Sequence, residues 1–207
     1  MKLFGFIQLL FVLLSSGILE AKNFAELGDD MKLVRKKLLL QTIPFNVEEL
    51  DFIDKGDIPT HPYYRISCYD WVNILAVNDQ NEALLVKQYR AGALKFVREL
   101  PGGVINEDEQ ANPILAAKRE LEEETGFIAD HWQHLLSINP NPAIQHNKVH
   151  FFLAKGCKIN ENRKHFPDPT EDIEIEWVLL NELPELVKKG EIDHALSALC
   201  IFSSGLF

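Results

Sequence analysis

The densest chemistry in this chain lies at Arg119 to Gly126, RELEEETG. Glu120, Glu123 and Glu124 are spaced i, i+3 and i+4, so a helix puts them on one face and turns Ala117 and Leu121 the other way. Such an arrangement is unfavourable by itself. Like charges at i,i+4 cost about 0.2–0.5 kcal/mol per pair, and anions in the last helical turn about 0.3–1 kcal/mol more. A hard divalent cation, which takes oxygen ligands and completes its shell with substrate phosphates, would offset both costs. The commoner meaning of a charge run is a solvated face. Two features favour the metal: the acids crowd the negative end of the helix dipole, and a Pro101-Gly102-Gly103 turn upstream can offer a backbone carbonyl. Glu122 points away from the other acids and is expected in solvent.

These acids need a helix and a turn to hold them. Asn112 can cap a helix whose first position is Pro113; Ile114, Ala117 and Leu121 form its buried stripe, and Gly126 ends it as the C′ residue. Lys95 to Ile105 reads as a short strand running into the Pro-Gly-Gly turn. Tyr69–Asp79 and Glu82–Arg90 are β-rich and joined across Asn78-Asp79-Gln80-Asn81 as a hairpin. After the helix and HLLSINPNPA come the strands KVHFFLAKGC and IEIEWVLL. A C-terminal helix then starts near Asn181 with Leu183, Leu186 and Val187 on its apolar face, and a second spans Glu191–Phe202. Thr42–Ile53 reads as extended, closed by a Gly56-Asp57 turn and by Pro59 and Pro62. Strands with a central helix and terminal helices imply α+β or α/β/α packing, a sheet covered by helices.

At 207 residues, 46% hydrophobic and 25% charged, the chain is long enough for one catalytic-size domain. Its net charge of −10 argues against a nucleic-acid duplex or an anionic membrane surface as main partner, and a phosphate substrate would need local cations. Cys68, Cys157 and Cys200 form no CxxC and read as buried thiols. Met1-Lys2, the apolar run Leu3–Leu14 and the small residues up to Ala21 have the layout of a secretory signal, cleavable after Gly17 or Ala21. That layout suggests export to a periplasm or the exterior; an uncleaved membrane anchor, or a cytoplasmic enzyme behind a non-functional leader, are the alternatives. The expected division is a leader over 1–21, an N-terminal β segment over 22–60 that dimerises, and a hydrolase domain over 61–207.

Gly103, Glu109 and the run Arg119-Glu120-Leu121, Glu123-Glu124, Gly126-Phe127 together resemble the Nudix box, the signature of hydrolases acting on nucleoside diphosphates linked to another group. The spacing from Glu109 to Arg119 is longer than the family's, which puts Glu109 in question but leaves the helix-borne acids in register. DWVNILAV, VKQYRAGALKFVRELPGGVI and NPNPAIQHNKVHFFLAKGC resemble the ADP-ribose and nucleoside-diphosphate-sugar pyrophosphatase branch, and the likeness runs from Pro62 to Leu199. It implies an α/β fold: a Nudix α/β/α sandwich of mixed sheet with helices on both faces, preceded by the N-terminal β segment. It also implies a homodimer whose N-terminal strands help build the partner's substrate site, and hydrolysis of ADP-ribose-like substrates to AMP and a sugar phosphate.

Attack on a pyrophosphate requires its charge to be neutralised and a water to be deprotonated, and metal ions serve both needs. Glu120 and Glu124 are the first-choice ligands for Mg²⁺, with Mn²⁺ as the alternative. Glu123 bridges or holds a second ion, and the Gly103 carbonyl resembles the family's backbone ligand. Arg119 suits orienting a carboxylate. Arg90, at a strand end, resembles the family's diphosphate-contacting arginine; for it and for Glu99 a surface ion pair is the plainer reading. Trp71, and after it Tyr64, could stack on adenine, although aromatics in strands are more often core. Glu171, before Asp172-Ile173, matches the branch's loop glutamate that binds metal or acts as general base; His146 and His150 are weaker candidates. A catalytically silent nucleotide-binding module, and a hydrolase for a dinucleotide or GDP-sugar, are the competing functions.

Overall fold

Val72, Ile74 and Ala76 alternate with Leu75 and Val77, and all are buried, so the strand that carries them has an apolar layer against each face. The structure, a computed structural model, describes residues 31–54, 61–167 and 172–207; the leader, the Gly56-Asp57 turn with Pro59, and Glu171 lie outside the described residues. The strands are β1 (Lys32–Gln41), β2 (Asn46–Ile53), β3 (Tyr63–Ser67), β4 (Trp71–Val77), β5 (Glu82–Arg90), β6 (Lys95–Glu99), β7 (Gly102–Val104), β8 (Phe127–Ile138), β9 (Val149–Ile159) and β10 (Glu174–Leu179). The helices are α1 (Pro113–Thr125), α2 (Leu183–Lys188) and α3 (Ala195–Ser203). Among the described residues no helix is long and apolar enough to cross a membrane. The chain divides into two units, one holding the described residues up to Gln41 with Val47–Arg65, the other Thr42–Asn46 with Ile66–Phe207.

In the first unit, β1, β2 and β3 lie side by side in that order. Charge pairing sets the fit of these strands: Arg35 meets Glu49 and Asp51, and Arg65 donates to the buried Glu48 at 2.7 Å. β1 is exposed along its whole length, with Leu33, Val34, Leu38, Leu39 and Leu40 all in solvent.

The second unit is built on a sheet ordered β10-β5-β4-β9-β8, with β6 added to β5 and β7 to β4. β4 and β9 run parallel while β8 and β10 are antiparallel to their neighbours, which makes the sheet mixed. On one face Val72, Ile74, Leu84, Phe152 and Ala154 pack with Ala116, Ala117 and Leu121 of α1. On the other, Leu75, Leu85, Phe151 and Leu153 pack with Leu183 of α2 and Ile201 of α3. This is the expected α/β/α sandwich. Cys157 and Cys200 are buried, and burial pushes both thiols up to about 12.

Three local features depart from the sequence reading. The hairpin strands β4 and β5 pair only at Val77 with Ala83, because β7 takes the edge of β4: Asn73 faces Gly102, and Ile74 N–H donates to Pro101 O at 2.9 Å. Glycine is needed there, since a Cβ on Gly102 would stand 2.3 Å from Val72 O. The last helix begins at Ala195 rather than Glu191, because Glu191, Asp193 and His194 are tied to Arg98, Lys95 and Glu99 of β6. β8 starts directly after Gly126, its alternation masked by His131, Gln133 and His134.

Candidate active site

Arg119 organises the acids of α1. Its Nε and Nη2 donate to the two oxygens of Glu109 at 2.9 and 3.0 Å; Nη1 donates to Glu120 at 2.8 Å and Glu123 at 2.9 Å; Nη2 also reaches Val104 O at 2.9 Å. Burial works against the charge on this guanidinium, but the carboxylates outweigh it and hold the group above its ordinary value. The longer spacing before Arg119 therefore leaves Glu109 in place. Glu109 closes the 3-10 turn Glu107–Glu109, and the chain from Gln110 to Asn112 takes up the extra length, with Asn112 N–H donating to Glu109 O at 2.8 Å. Arg119's hydrogen bonds are the main reason the Glu109 carboxyl sits below the usual carboxylate range, with burial opposing.

Two of the acids meet the diglycine turn. A Cβ on Gly103 would lie 2.5 Å from Glu120 Oε1, so only a glycine lets this backbone approach the carboxylate. Gly102 N–H donates to Glu124 Oε2 at 2.9 Å, and Gln88 Nε2 lies 3.4 Å from the other oxygen. The Glu124 carboxyl is raised well above its ordinary value, chiefly by burial and then by the negative charge of Glu120. That repulsion in a site short of solvent is what a bound cation relieves, and the hard oxygens of Glu120, Glu124 and the turn backbone suit a divalent one.

Glu123 accepts from the same Arg119 Nη1 as Glu120, at 2.9 Å beside 2.8 Å, and among the described residues no three His, Cys, Asp or Glu groups form a metal-holding cluster. The expectation for Glu122 is overturned. It is buried, and it accepts from Asn160 Nδ2 at 2.7 Å and Lys164 N–H at 2.6 Å, with His165 Nε2 at 3.7 Å. Burial raises this carboxyl, but these donors outweigh it and leave it below the usual range. Arg163 Nη2 caps the Glu123 carbonyl at 2.5 Å, so a basic loop after β9 offsets the charge at the end of α1.

Beside the turn opens a cavity of about 440 Å³, lined by Trp71, Arg90, Glu99, Gly102, Gly103 and His194 among others. Glu99 is only 1% exposed and has both oxygens engaged: Arg90 Nε donates to Oε1 at 2.6 Å, and His194 Nδ1 lies 3.0 Å from Oε2. Trp71 packs against the α2 and α3 side of the core and also lines the cavity. Tyr64 is exposed on β3 in the other unit. His150 Nδ1 lies 2.7 Å from Ser137 Oγ and its Nε2 3.3 Å from Asp70, while His146 Nε2 is 3.5 Å from Ser67 Oγ; neither lines the cavity. His194 escaped the sequence reading because a helix from Glu191 made it an interior helical residue.

Sandwich, box and cavity define a class, and the NUDIX domain model matches residues 70–198: the chain belongs to the Nudix family and is a Nudix hydrolase of the ADP-ribose pyrophosphatase-like branch. It is 32% identical over 130 residues to the ADP-ribose pyrophosphatase of Bacillus subtilis (strain 168), covering 63% of this chain and 69% of that one. To the methanol dehydrogenase activator of Bacillus methanolicus it is 28% identical over 130 residues, with the same coverage of 63% and 69%. To the ADP-ribose pyrophosphatase of Mycobacterium tuberculosis (strain ATCC 25618 / H37Rv) it is 30% identical over 127 residues, covering 61% and 60%. The crystal structure of an ADP compounds hydrolase superposes with a TM-score of 0.71 at 18% identity, over 84% of this chain and 92% of that one, and so shares the fold.

Proposed function

We propose that this chain hydrolyses the pyrophosphate bond of ADP-ribose or a related nucleoside diphosphate sugar, giving a nucleoside monophosphate and a sugar phosphate. One observation carries the reading: the Glu120 and Glu124 carboxyls meet the Gly102-Gly103 turn on the wall of the cavity that Arg90 also lines. A cation held by those acids would stand with Arg90 as a second positive group at one place, which an acidic chain needs to handle a diphosphate. The names of the Bacillus subtilis and Mycobacterium tuberculosis relatives support ADP-ribose as the first substrate to try.

In this proposal Glu120, Glu124 and the Gly103 carbonyl hold Mg²⁺, or Mn²⁺ in its place. When bound, the ion supplies Lewis-acid polarisation of phosphoryl oxygens and a lowered pKa for its water. Arg119 fixes Glu120 through Nη1 and keeps Glu123 turned toward the same edge of the helix. Glu123 and Glu171 are the candidates for taking the proton of the attacking water. Arg90 neutralises the diphosphate, and Glu99, with both oxygens engaged, acts by positioning Arg90 rather than by touching substrate. Trp71 offers an aromatic face to the base or sugar.

We also propose a homodimer, supported by the exposed leucines of β1, and export directed by the leader. The activity is tested on a panel of ADP-ribose, other ADP-sugars, GDP-sugars and dinucleotides. AMP release from ADP-ribose in Mg²⁺, abolished by chelator, is the expected result; binding without AMP release in excess Mg²⁺ or Mn²⁺ overturns the enzymatic reading in favour of a silent module. Mass spectrometry of the mature N-terminus tests export, and an intact Met1 in the exported fraction contradicts cleavage.

A further inference from the structure

His194 stands on the cavity wall in an arrangement that the proposed diphosphatase chemistry leaves unused. Its Nδ1 edge is fixed by two buried groups: Glu99 Oε2 at 3.0 Å and Ser197 Oγ at 2.9 Å. Ser197 is itself held in place, because its Oγ accepts from Leu100 N–H at 2.9 Å. Glu99 is charge-paired with Arg90, so its oxygen at 3.0 Å favours the tautomer with the proton on Nδ1, and a neutral imidazole in that tautomer presents Nε2 as an acceptor. No described residue donates to that Nε2, and His194 lines the cavity together with Trp71, Leu100 and Leu196. Burial is the main influence holding the imidazole below its ordinary value; Glu99 opposes and the Arg90 charge reinforces. The same Glu99 carboxylate holds Arg90 with one oxygen and His194 with the other, so a phosphate-neutralising cation and a neutral acceptor are set side by side.

An acceptor beside a diphosphate site does not suit another phosphate oxygen, which also needs a donor. It suits a hydroxyl. Resting on the diphosphatase reading above, we propose that His194 Nε2 accepts a hydrogen bond from a ribose hydroxyl next to the diphosphate held by Arg90, making His194 a specificity-determining residue for ribosyl substrates. Either ribose of ADP-ribose could supply the hydroxyl, the one on the adenosine side or the distal one.

The test is a cycle of protein and ligand changes, read by calorimetric binding in chelator so that the diphosphate stays intact. The probes are ADP-ribose and the analogues that lack the 2- or 3-hydroxyl of either ribose. Wild type should bind one analogue about three- to tenfold more weakly than ADP-ribose, the size of one neutral hydrogen bond. His194→Ala should lose about the same factor on ADP-ribose and nothing further on that analogue, and the analogue identifies which ribose is read. His194→Phe, which keeps ring volume without nitrogens, runs the same cycle should the alanine variant fail to fold. Additive losses on every analogue, no wild-type discrimination, or no wild-type binding overturns the inference. Turnover is measured separately in Mg²⁺: coupling without turnover removes the diphosphatase reading and keeps the acceptor, whereas turnover without coupling does the reverse.

Discussion

Glu109, Glu120 and Glu123 all depend on one guanidinium, and the Glu109 pair has a pH signature of its own. The Glu109 carboxyl is depressed in the folded chain, first by hydrogen bonds from Arg119 and against the pull of burial. A depressed acid contributes stability that is fully present above its unfolded value near pH 4 and is lost as pH falls through the folded value. Glu109→Gln should therefore unfold at a lower temperature than wild type at neutral pH, and the gap should close as the pH falls below the unfolded value and through the depressed folded one; a gap that stays constant across a calorimetric pH series contradicts this role. Arg119's task was legible, because Glu123 stands one turn along the same helix face. Glu122 was not: its donor Asn160 lies 38 residues further on, and no helical periodicity can report a loop folding back onto the helix end.

At the scale of elements, β7 and α1 approach so closely that the Gly103 backbone occupies the space a side chain would need. Gly103→Ala should push the Glu120 carboxylate off the turn. Its turnover should fall by about 10- to 100-fold, the range seen when the orientation of a metal ligand is disturbed. Because the neighbour that must move is the end of a flexible side chain, circular dichroism should show the wild-type fold; wild-type turnover in the alanine variant contradicts the close approach. The helix was readable from its period, its Gly126 stop from residue type, and β4 and β5 from their β-rich composition. The late start of α3 was not, since Asp193 and His194 are held by Lys95 and Glu99, residues almost a hundred positions earlier. The short β4–β5 pairing was hidden for the same kind of reason: β7 competes for the strand edge.

For the molecule as a whole, an exposed strand bearing Leu38 and Leu40 on one face is a surface that soluble chains cover or blunt. Sedimentation velocity should give the mass of two chains for wild type and of one chain for a Leu38→Lys, Leu40→Lys double variant; a single-chain mass for wild type removes the dimer. Glycines and acids placed the candidate site in the sequence because a diglycine turn and a Glu-rich helix end have few other uses together, whereas cavity walls such as His194 come from tertiary ties. The central claim rests on the two acids that meet the turn. Purified protein with ADP-ribose and Mg²⁺, followed by chromatography of the products, should yield AMP and ribose phosphate in equal amounts, and Glu124→Gln should yield neither while keeping the wild-type circular dichroism. Undiminished AMP release by Glu124→Gln would contradict the account.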